Sequence, residues 1–329
     1  MVDPIFSAGR VGALSAKLFS IEKFHRMAEC HTLFDALKIL NESDYGEHSI
    51  SPDENNYSTI LQNELDSTVV VLKELTSDLT VSDCFLLQYD YLNAKMMMKA
   101  KYLRVDCLSD CYSCGRFDKE SMWAQIAVDD YDSLSSQMRD ACEKIDFEFS
   151  EGNRSPGIID LYLDKAMFEE IAQIQKKCKV KTIKDFFAIT ADTTNVLSLL
   201  RAKKANCSVE KAQNLIVSGG TLPESDLMLA YAENLDRWHE HFVGDYQLLV
   251  LNAVEAINAN KSLYDSERQA EQMKIDVLTP NKNELTIEPL ICYYLSKRAE
   301  IDNIKIILVG IKNKLDPNEI KSKLKVLYV

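Results

Sequence analysis

Chain breakers are scarce in this sequence. Ten glycines and seven prolines are spread over 329 residues, so long uninterrupted elements are expected. Strand signals are also missing. There is little apolar/polar alternation in β-branched runs bounded by turns, which argues against a sandwich or barrel. No apolar run approaches the roughly 20 residues that a membrane-spanning helix needs. The longest cover 68–72 and 304–311, the second interrupted by Lys305. The N-terminus shows no charged, apolar and small-residue succession of a secretory leader. Nine cysteines, an odd number, argue against a complete disulfide framework. Free thiols in a reducing, cytoplasmic setting are the expectation. Positive charge is in short supply, with 38 Lys and Arg against 51 Asp and Glu and a formal net charge of -13. Broad electrostatic binding to nucleic acid or anionic lipid is thereby disfavoured, and only a local basic patch would allow it.

Helical periodicity is what the chain does have. Ile159, Tyr162, Leu163, Ala166, Met167 and Ile171 recur at 3.6-residue spacing, which predicts an amphipathic helix. Pro156 falls just before that run, and Asn153 is a residue that begins helices. With 46% apolar and 27% charged residues, the composition suits an all-α globular protein with a sizeable core.

A helix motif recurs three times. Asp90 and Asn93 lead to Lys99, Ala100 and Lys101; Asp192 and Asn195 lead to Arg201, Ala202 and Lys203. Near the C-terminus Glu300 and Asn303 lead to Gly310. Two further landmarks run in the same order. One is an Asp–aromatic pair at Asp44 and Tyr45, Asp146 and Phe147, and Asp245 and Tyr246. The other is a turn and helix start at 116–122, 221–227 and 314–320, with Asp118, Thr221 and Asp316 as expected caps and Pro317 suited to a first turn. Repeats of about 100 residues are domain-sized, not solenoid-sized. The expected segments are 1–115, 116–220 and 221–329, three similar helical domains in a stack or around a pseudo-threefold axis.

The motif has a packing logic. An acid and an Asn three apart share a helix face and can hydrogen-bond. Ala100, Ala202 and Gly310, seven residues after the Asn, leave room for a close helix crossing. Asp90, Asn93, Asp192, Asn195, Glu300 and Asn303 are therefore expected to pack the repeats. The plainer reading makes each Asn a half-exposed polar residue on an amphipathic helix. Lys99, Lys101, Arg201 and Lys203 either complement the helix C-terminal dipole or contact a partner.

One stretch competes for a chemical reading. CLSDCYSC at 107–114 places Cys107, Cys111 and Cys114 in a C-x3-C-x2-C spacing, which resembles the cluster motif of radical S-adenosylmethionine enzymes. An iron–sulfur or metal-binding enzyme is the alternative that follows. Against it, the spacing follows a helix in a chain without visible strands, and no second C-x2-C pair supplies a fourth zinc ligand. The plainer reading is a connector between two helical repeats. His239 and His241 lack the spacing of a zinc-binding H-E-x-x-H, and Gly219 and Gly220 lack the Lys-Ser/Thr of a phosphate loop. No cofactor is expected.

The run 289–308, with Pro289, Tyr293, Lys297, Glu300, Asn303, Ile304 and Lys305, resembles a stretch of the C subunit of archaeal and bacterial V/A-type rotary ATPases. The eukaryotic counterpart is the d subunit of the vacuolar ATPase. The opening Arg10 and Val11 with Leu18 and Phe19, the segment Asp44, Tyr45 and Gly46, the Asp192 and Asn195 helix and the run 218–222 fall in family order. The resemblance implies a funnel of three similar helical domains with no active site of its own. It implies a central-stalk connector between the D and F subunits of the shaft and the membrane rotor ring, passing torque for proton or sodium transport. It also implies a cytoplasmic location at the periphery of the membrane complex, without bilayer insertion and without nucleic acid.

Overall fold

The computed structural model describes residues 4–43, 45, 53, 56–76 and 78–328. Asp44 and Gly46, which belong to one expected landmark, lie outside the described residues, as does Val329. The protein is all-α, with no strand among the described residues. The chain divides into two compact units, 1–77 with 278–329 and 78–277. The expected segments 1–115, 116–220 and 221–329 run across this division.

The first unit opens with α1 (Pro4–Ser15), α2 (Ile21–Ala28), α3 (Leu33–Asn41) and α4 (Tyr57–Leu75). The second holds α5 (Leu79–Leu103), α6 (Lys119–Ile126), α7 (Ser136–Ser150), α8 (Pro156–Gln175), α9 (Lys181–Lys204), α10 (Val209–Gln213), α11 (Glu224–Ala232), α12 (Gly244–Asn258) and α13 (Tyr264–Leu278). The chain returns to the first unit with α14 (Glu288–Lys312) and α15 (Pro317–Ser322).

In the first unit α14 is the axis, packed by α4, α1, α2, α3 and α15. Six successive residues, Leu290, Ile291, Cys292, Tyr293, Tyr294 and Leu295, are all buried. A helix covered on all sides needs apolar residues around its whole circumference, which is why this stretch shows no amphipathic stripe. In the second unit α8 packs on α5 and α7. A separate core gathers Leu199 and Leu200 of α9 with Trp238, Leu249 and Ala253.

Local sequence accounts for the helix starts. Ser20, Thr32, Asp78, Asp118, Ser135, Ser208 and Asp316 each accept a backbone N–H from the first turn that follows, satisfying donors that no intrahelical carbonyl reaches. Asp118 and Asp316 thus act as expected. Thr221 does not: Pro223 occupies the N-cap of α11 without a side-chain bond, because the Thr221 hydroxyl is used elsewhere. The helix read at 159–171 lies inside α8, which begins at Pro156 with Ser155, not Asn153, at its N-cap.

Candidate functional site

The three motif helices are α5, α9 and α14. In each, the Asn side chain joins one distant backbone residue through both of its edges. Asn93 Nδ2 donates to the Tyr112 carbonyl at 2.9 Å, and the Tyr112 N–H donates to Asn93 Oδ1 at 2.8 Å. Asn195 pairs with Val217 in the same way at 2.9 and 2.8 Å. Asn303 pairs with Lys325 at 3.0 and 2.7 Å. The three are 0%, 2% and 1% exposed. A primary amide carries one donor edge and one acceptor edge, as a peptide does. It therefore completes an extended segment that has no neighbouring strand to satisfy its backbone.

The acid three residues earlier does not bond to the Asn. It holds the start of another helix. Asp90 Oδ1 accepts the N–H groups of Arg116 and Phe117 at 2.8 and 3.1 Å. Asp192 accepts those of Thr221 and Leu222 at 3.0 and 2.9 Å. Glu300 Oε2 accepts that of Phe19 at 2.5 Å. Phe117, Leu222 and Phe19 each stand immediately before the N-cap of a helix, α6, α11 and α2 respectively. Four residues after each cap comes an almost fully buried apolar side chain, Met122, Leu227 or Phe24. Phe19 and Phe24 meet with ring centroids 5.5 Å apart, a hydrophobic staple that sets the entry angle of α2.

In the first two copies one continuous stretch runs from the Asn to the acid, 112–117 and 217–222. In the third, Asn303 holds Lys325 and Glu300 holds Phe19, two segments far apart in sequence within the first unit.

Glycine makes the two aspartate sites possible. A Cβ on Gly115 would lie 2.3 Å from Asp90 Oδ1, and one on Gly220 would lie 2.0 Å from Asp192 Oδ1. Each glycine stands two residues before the position just ahead of the cap. At the corresponding place before α2 the residue is Lys17, and the acid there is Glu300, one methylene longer. The longer side chain reaches the backbone from further away. Gly220→Ala is expected to lower stability by about 1–3 kcal/mol, the usual range for overpacking. Urea unfolding followed by tryptophan fluorescence reads this directly, since Trp123 and Trp238 both lie in the second unit.

Each acid has further partners. Asp90 Oδ2 accepts Arg116 Nε at 3.1 Å, and Arg116 Nη2 reaches Glu170 at 2.6 Å. Tyr91 and Ser135 donate their hydroxyls to Glu170 at 2.8 and 2.5 Å. Burial raises the Asp90 pKa, opposed by the bonds from Phe117 and Arg116. Burial alone would lower that of Arg116, but Glu170 and Asp90 outweigh it and the net direction is up. Asp192 also accepts the hydroxyls of Thr221 at 2.7 Å and Tyr246 at 3.0 Å. Glu300 Oε1 accepts the Tyr45 hydroxyl at 2.8 Å and Lys297 Nζ at 2.7 Å, and Lys297 also reaches Glu64 at 2.7 Å. For Lys297 too, burial works downward while Glu300 and Glu64 carry the pKa upward. Burial, then the adjoining carboxylate, pushes the phenols of Tyr45, Tyr91 and Tyr246 up. Chemically, the three arrangements hold backbone: the carboxylate oxygens accept N–H and O–H groups of their own chain.

The other motif residues have equally local roles. The carbonyls of Ala100, Ala202 and Gly310 accept the N–H of Val105, Cys207 and Leu315 at 3.1, 2.9 and 3.0 Å. Arg104, Asn206 and Lys314, eleven residues after the Asn, are left-handed with φ of 56°, 54° and 58°. This is the 6→1 bond of a Schellman helix end. A Cβ on Gly310 would lie 2.7 Å from Ile320 of α15. Lys99 pairs with Asp160 and Arg201 with Glu267, both at 2.7 Å. Lys101 pairs with Asp146 at 2.7 Å and Asp129 at 2.5 Å. Lys203 donates to the Tyr231 carbonyl at 2.7 Å.

Two landmarks differ from their sequence reading. The Asp–aromatic pairs lie in different elements, Tyr45 beyond α3, Phe147, 65% exposed, late in α7, and Tyr246 in the first turn of α12, yet Tyr45 and Tyr246 both donate a hydroxyl to a motif acid, Glu300 and Asp192. Phenylalanine has no hydroxyl to donate, so the Asp146 and Phe147 pair lacks that contact. The start of α15 corresponds to that of α10 and to the short 3₁₀ turn Leu108–Asp110. In all three, the side chain thirteen residues after the Asn accepts a backbone N–H of the turn that follows: Asp106, Ser208 and Asp316. The counterpart of α6 and α11 is α2.

The thiols of 107–114 are buried on either side of Tyr112, the residue that Asn93 holds. Cys107, Cys111 and Cys114 are 7%, 4% and 5% exposed, with 4.0 Å between the sulfurs of Cys107 and Cys111. Among the described residues no group of three or more Cys, His, Asp or Glu side chains could hold a metal ion. Burial pushes the Cys107 thiol up and that of Cys111 up to about 12, away from the thiolate that ligates metal. The spacing comes from a turn whose apolar faces pack inward.

Known proteins give the chain its relatives. The family described as ATP synthase (C/AC39) subunit matches residues 7–323. The C subunit of an A-type ATP synthase from Methanocaldococcus jannaschii is 23% identical over 347 residues, covering 96% of this chain and 84% of the relative. That of Methanosarcina acetivorans is 23% identical and covers 98% and 92%. The C subunit of a V-type sodium ATPase from Enterococcus hirae is 18% identical and covers 95% of each. With a match along nearly its whole length, the chain belongs to the ATP synthase (C/AC39) subunit family.

Proposed function

We propose that this protein is the central-stalk connector of a V/A-type rotary ATPase, joining the D and F subunits of the shaft to the membrane rotor ring. The observation that carries the reading is the family match over 7–323. In this reading the chain is not catalytic. It transmits torque between the shaft and the ion-carrying ring, as three helical repeats, 1–115, 116–220 and 221–329, arranged as a funnel around a pseudo-threefold axis. Asp90, Asn93, Asp192, Asn195, Glu300 and Asn303 supply the stiffness. A torque-bearing part must not yield at its joints. Here the joints are pinned by buried, charge-assisted hydrogen bonds in place of flexible linkers. The internal pairing of Lys99, Lys101, Arg201 and Lys203 supports reading those side chains as part of the same scaffold. No described helix is long and apolar enough to cross a membrane, in keeping with a peripheral place on the cytoplasmic side. Affinity capture of the tagged chain with a co-expressed D–F shaft and with a purified rotor ring tests the reading. Binding to both is expected; binding to neither overturns it.

A further inference from the structure

The turn between α8 and α9 runs against the charge of the whole molecule. In a chain of net charge -13, residues 171–184 contain no acid and five lysines: Lys176, Lys177, Lys179, Lys181 and Lys184. All five are exposed. Lys181 pairs with Asp185 at 2.5 Å and still has a side chain 85% exposed. Among the described residues no ion pair joins the other four.

The placement works against the start of α9, whereas Lys176 and Lys177 at the end of α8 complement that helix's dipole. Lys181 and Lys184 stand in the first turn of α9, which has no acid in that turn and no side-chain bond at its Val180 cap. The positive end of the helix dipole and the ammonium groups therefore add up where an acid would be favoured. A local choice that costs stability marks a site used for something else.

We propose that this turn is a docking surface for the anionic headgroups of a lipid bilayer. The side chains decide the kind of partner. The patch is built of lysine alone, with no arginine fork and no aromatic anchor such as a shaped protein interface uses. Its apolar residues face inward: Cys178 and Ile183 are 2% and 0% exposed, and the Cys178 thiol donates to the Val180 carbonyl across the turn at 3.8 Å. Val180, between Cys178 and Ile183, is half-buried, so no fully exposed apolar side chain is left to insert. Exposed point charges on a turn suit a diffuse layer of negative charge, the mode of polybasic membrane contacts. The acidic remainder of the surface is repelled by the same layer, so the contact also orients the chain. The proposal draws on the connector reading only for nearness to a bilayer. Its test needs no other subunit, so the two fail separately.

The experiment is vesicle co-sedimentation of the full chain. At low salt it is expected to bind phosphatidylcholine vesicles that contain phosphatidylglycerol, not phosphatidylcholine alone, and to release as salt rises. Replacing Lys176, Lys177, Lys179 and Lys184 by Gln is expected to weaken binding about 100-fold or more. A control that removes equal charge from exposed Lys73, Lys144, Lys305 and Lys312 keeps most of it. Circular dichroism and thermal melting establish that both variants fold. Absence of binding to anionic vesicles at low salt overturns the proposal, as does an equal loss in the control. Binding to an acidic polypeptide with no binding to vesicles also overturns it and reassigns the patch to a protein partner.

Discussion

Lys297→Met lowers the stability of the unit formed by 1–77 and 278–329 by about 3–5 kcal/mol. Lys297 is 5% exposed and its ammonium lies 2.7 Å from both Glu64 and Glu300. Methionine fills nearly the same space, so little packing is lost. The charge is what goes, and two carboxylates remain facing one another, Glu300 with its side chain fully buried and Glu64 with 13% exposed. Removing one partner of a buried ionic group leaves the others without compensation, which costs far more than the group contributes as a whole. The triple variant Lys297→Met, Glu64→Gln, Glu300→Gln separates these effects. Phe19 N–H and Tyr45 O–H donate to different oxygens of Glu300; a glutamine oxygen at 300 still accepts from Phe19 N–H while its amide NH2 faces the Tyr45 hydroxyl oxygen, so part of the loss should return. No tryptophan lies in this unit. The measurement is therefore far-UV circular dichroism against urea, with hydrogen exchange of the Phe19 amide as the local readout. A loss below about 1 kcal/mol, the range of exposed ion pairs, would mean that the cluster is solvated.

The all-α class was legible from missing breakers and missing alternation. The helix in 159–171 was legible from its spacing. The motif of acid, Asn and small residue was legible because each position needs a particular side chain: only an amide has both edges of a peptide, and only an acid gathers several N–H groups. The other half of each site was not legible. Tyr112, Val217 and Lys325 contribute backbone groups, and any residue supplies those. Gly220 stood out only in a pair that makes no phosphate loop, and nothing in the sequence says that it faces Asp192. Lys297 stands in the family-like run, yet an acid and a lysine three apart on a helix look like a surface pair. Burial turns it into a central charge, and burial depends on α4 and Tyr45, more than 200 residues away. Thr221 was misread for a related reason. A Thr before a helix is normally its cap, and here tertiary structure offers its hydroxyl a carboxylate instead.

Asn195→Leu is the sharpest test of the repeated motif, with an expected loss of about 2–5 kcal/mol. The figure follows from the two backbone groups left behind. The Val217 N–H and carbonyl lose the bonds that the amide makes to them, and each buried unsatisfied group costs about 1–3 kcal/mol. Leucine itself favours a helix and is readily buried, so the sign of the change is diagnostic. Were Asn195 a half-exposed polar residue of an amphipathic helix, the variant would be neutral or slightly more stable. Tryptophan fluorescence against urea measures the loss, and exchange of the Val217 amide should quicken beyond the global change. Asn195→Asp gives a second arm: it keeps the shape and the acceptor but removes the donor, setting a carboxylate oxygen against the Val217 carbonyl. It should lose stability near neutral pH and recover part of it in acid, where a protonated carboxyl donates again. Leucine at Asn93 and at Asn303 should cost amounts within the same range, because the geometry repeats to within 0.1 Å at each contact. A large loss at one site alone would mean that the three amides do not share a role.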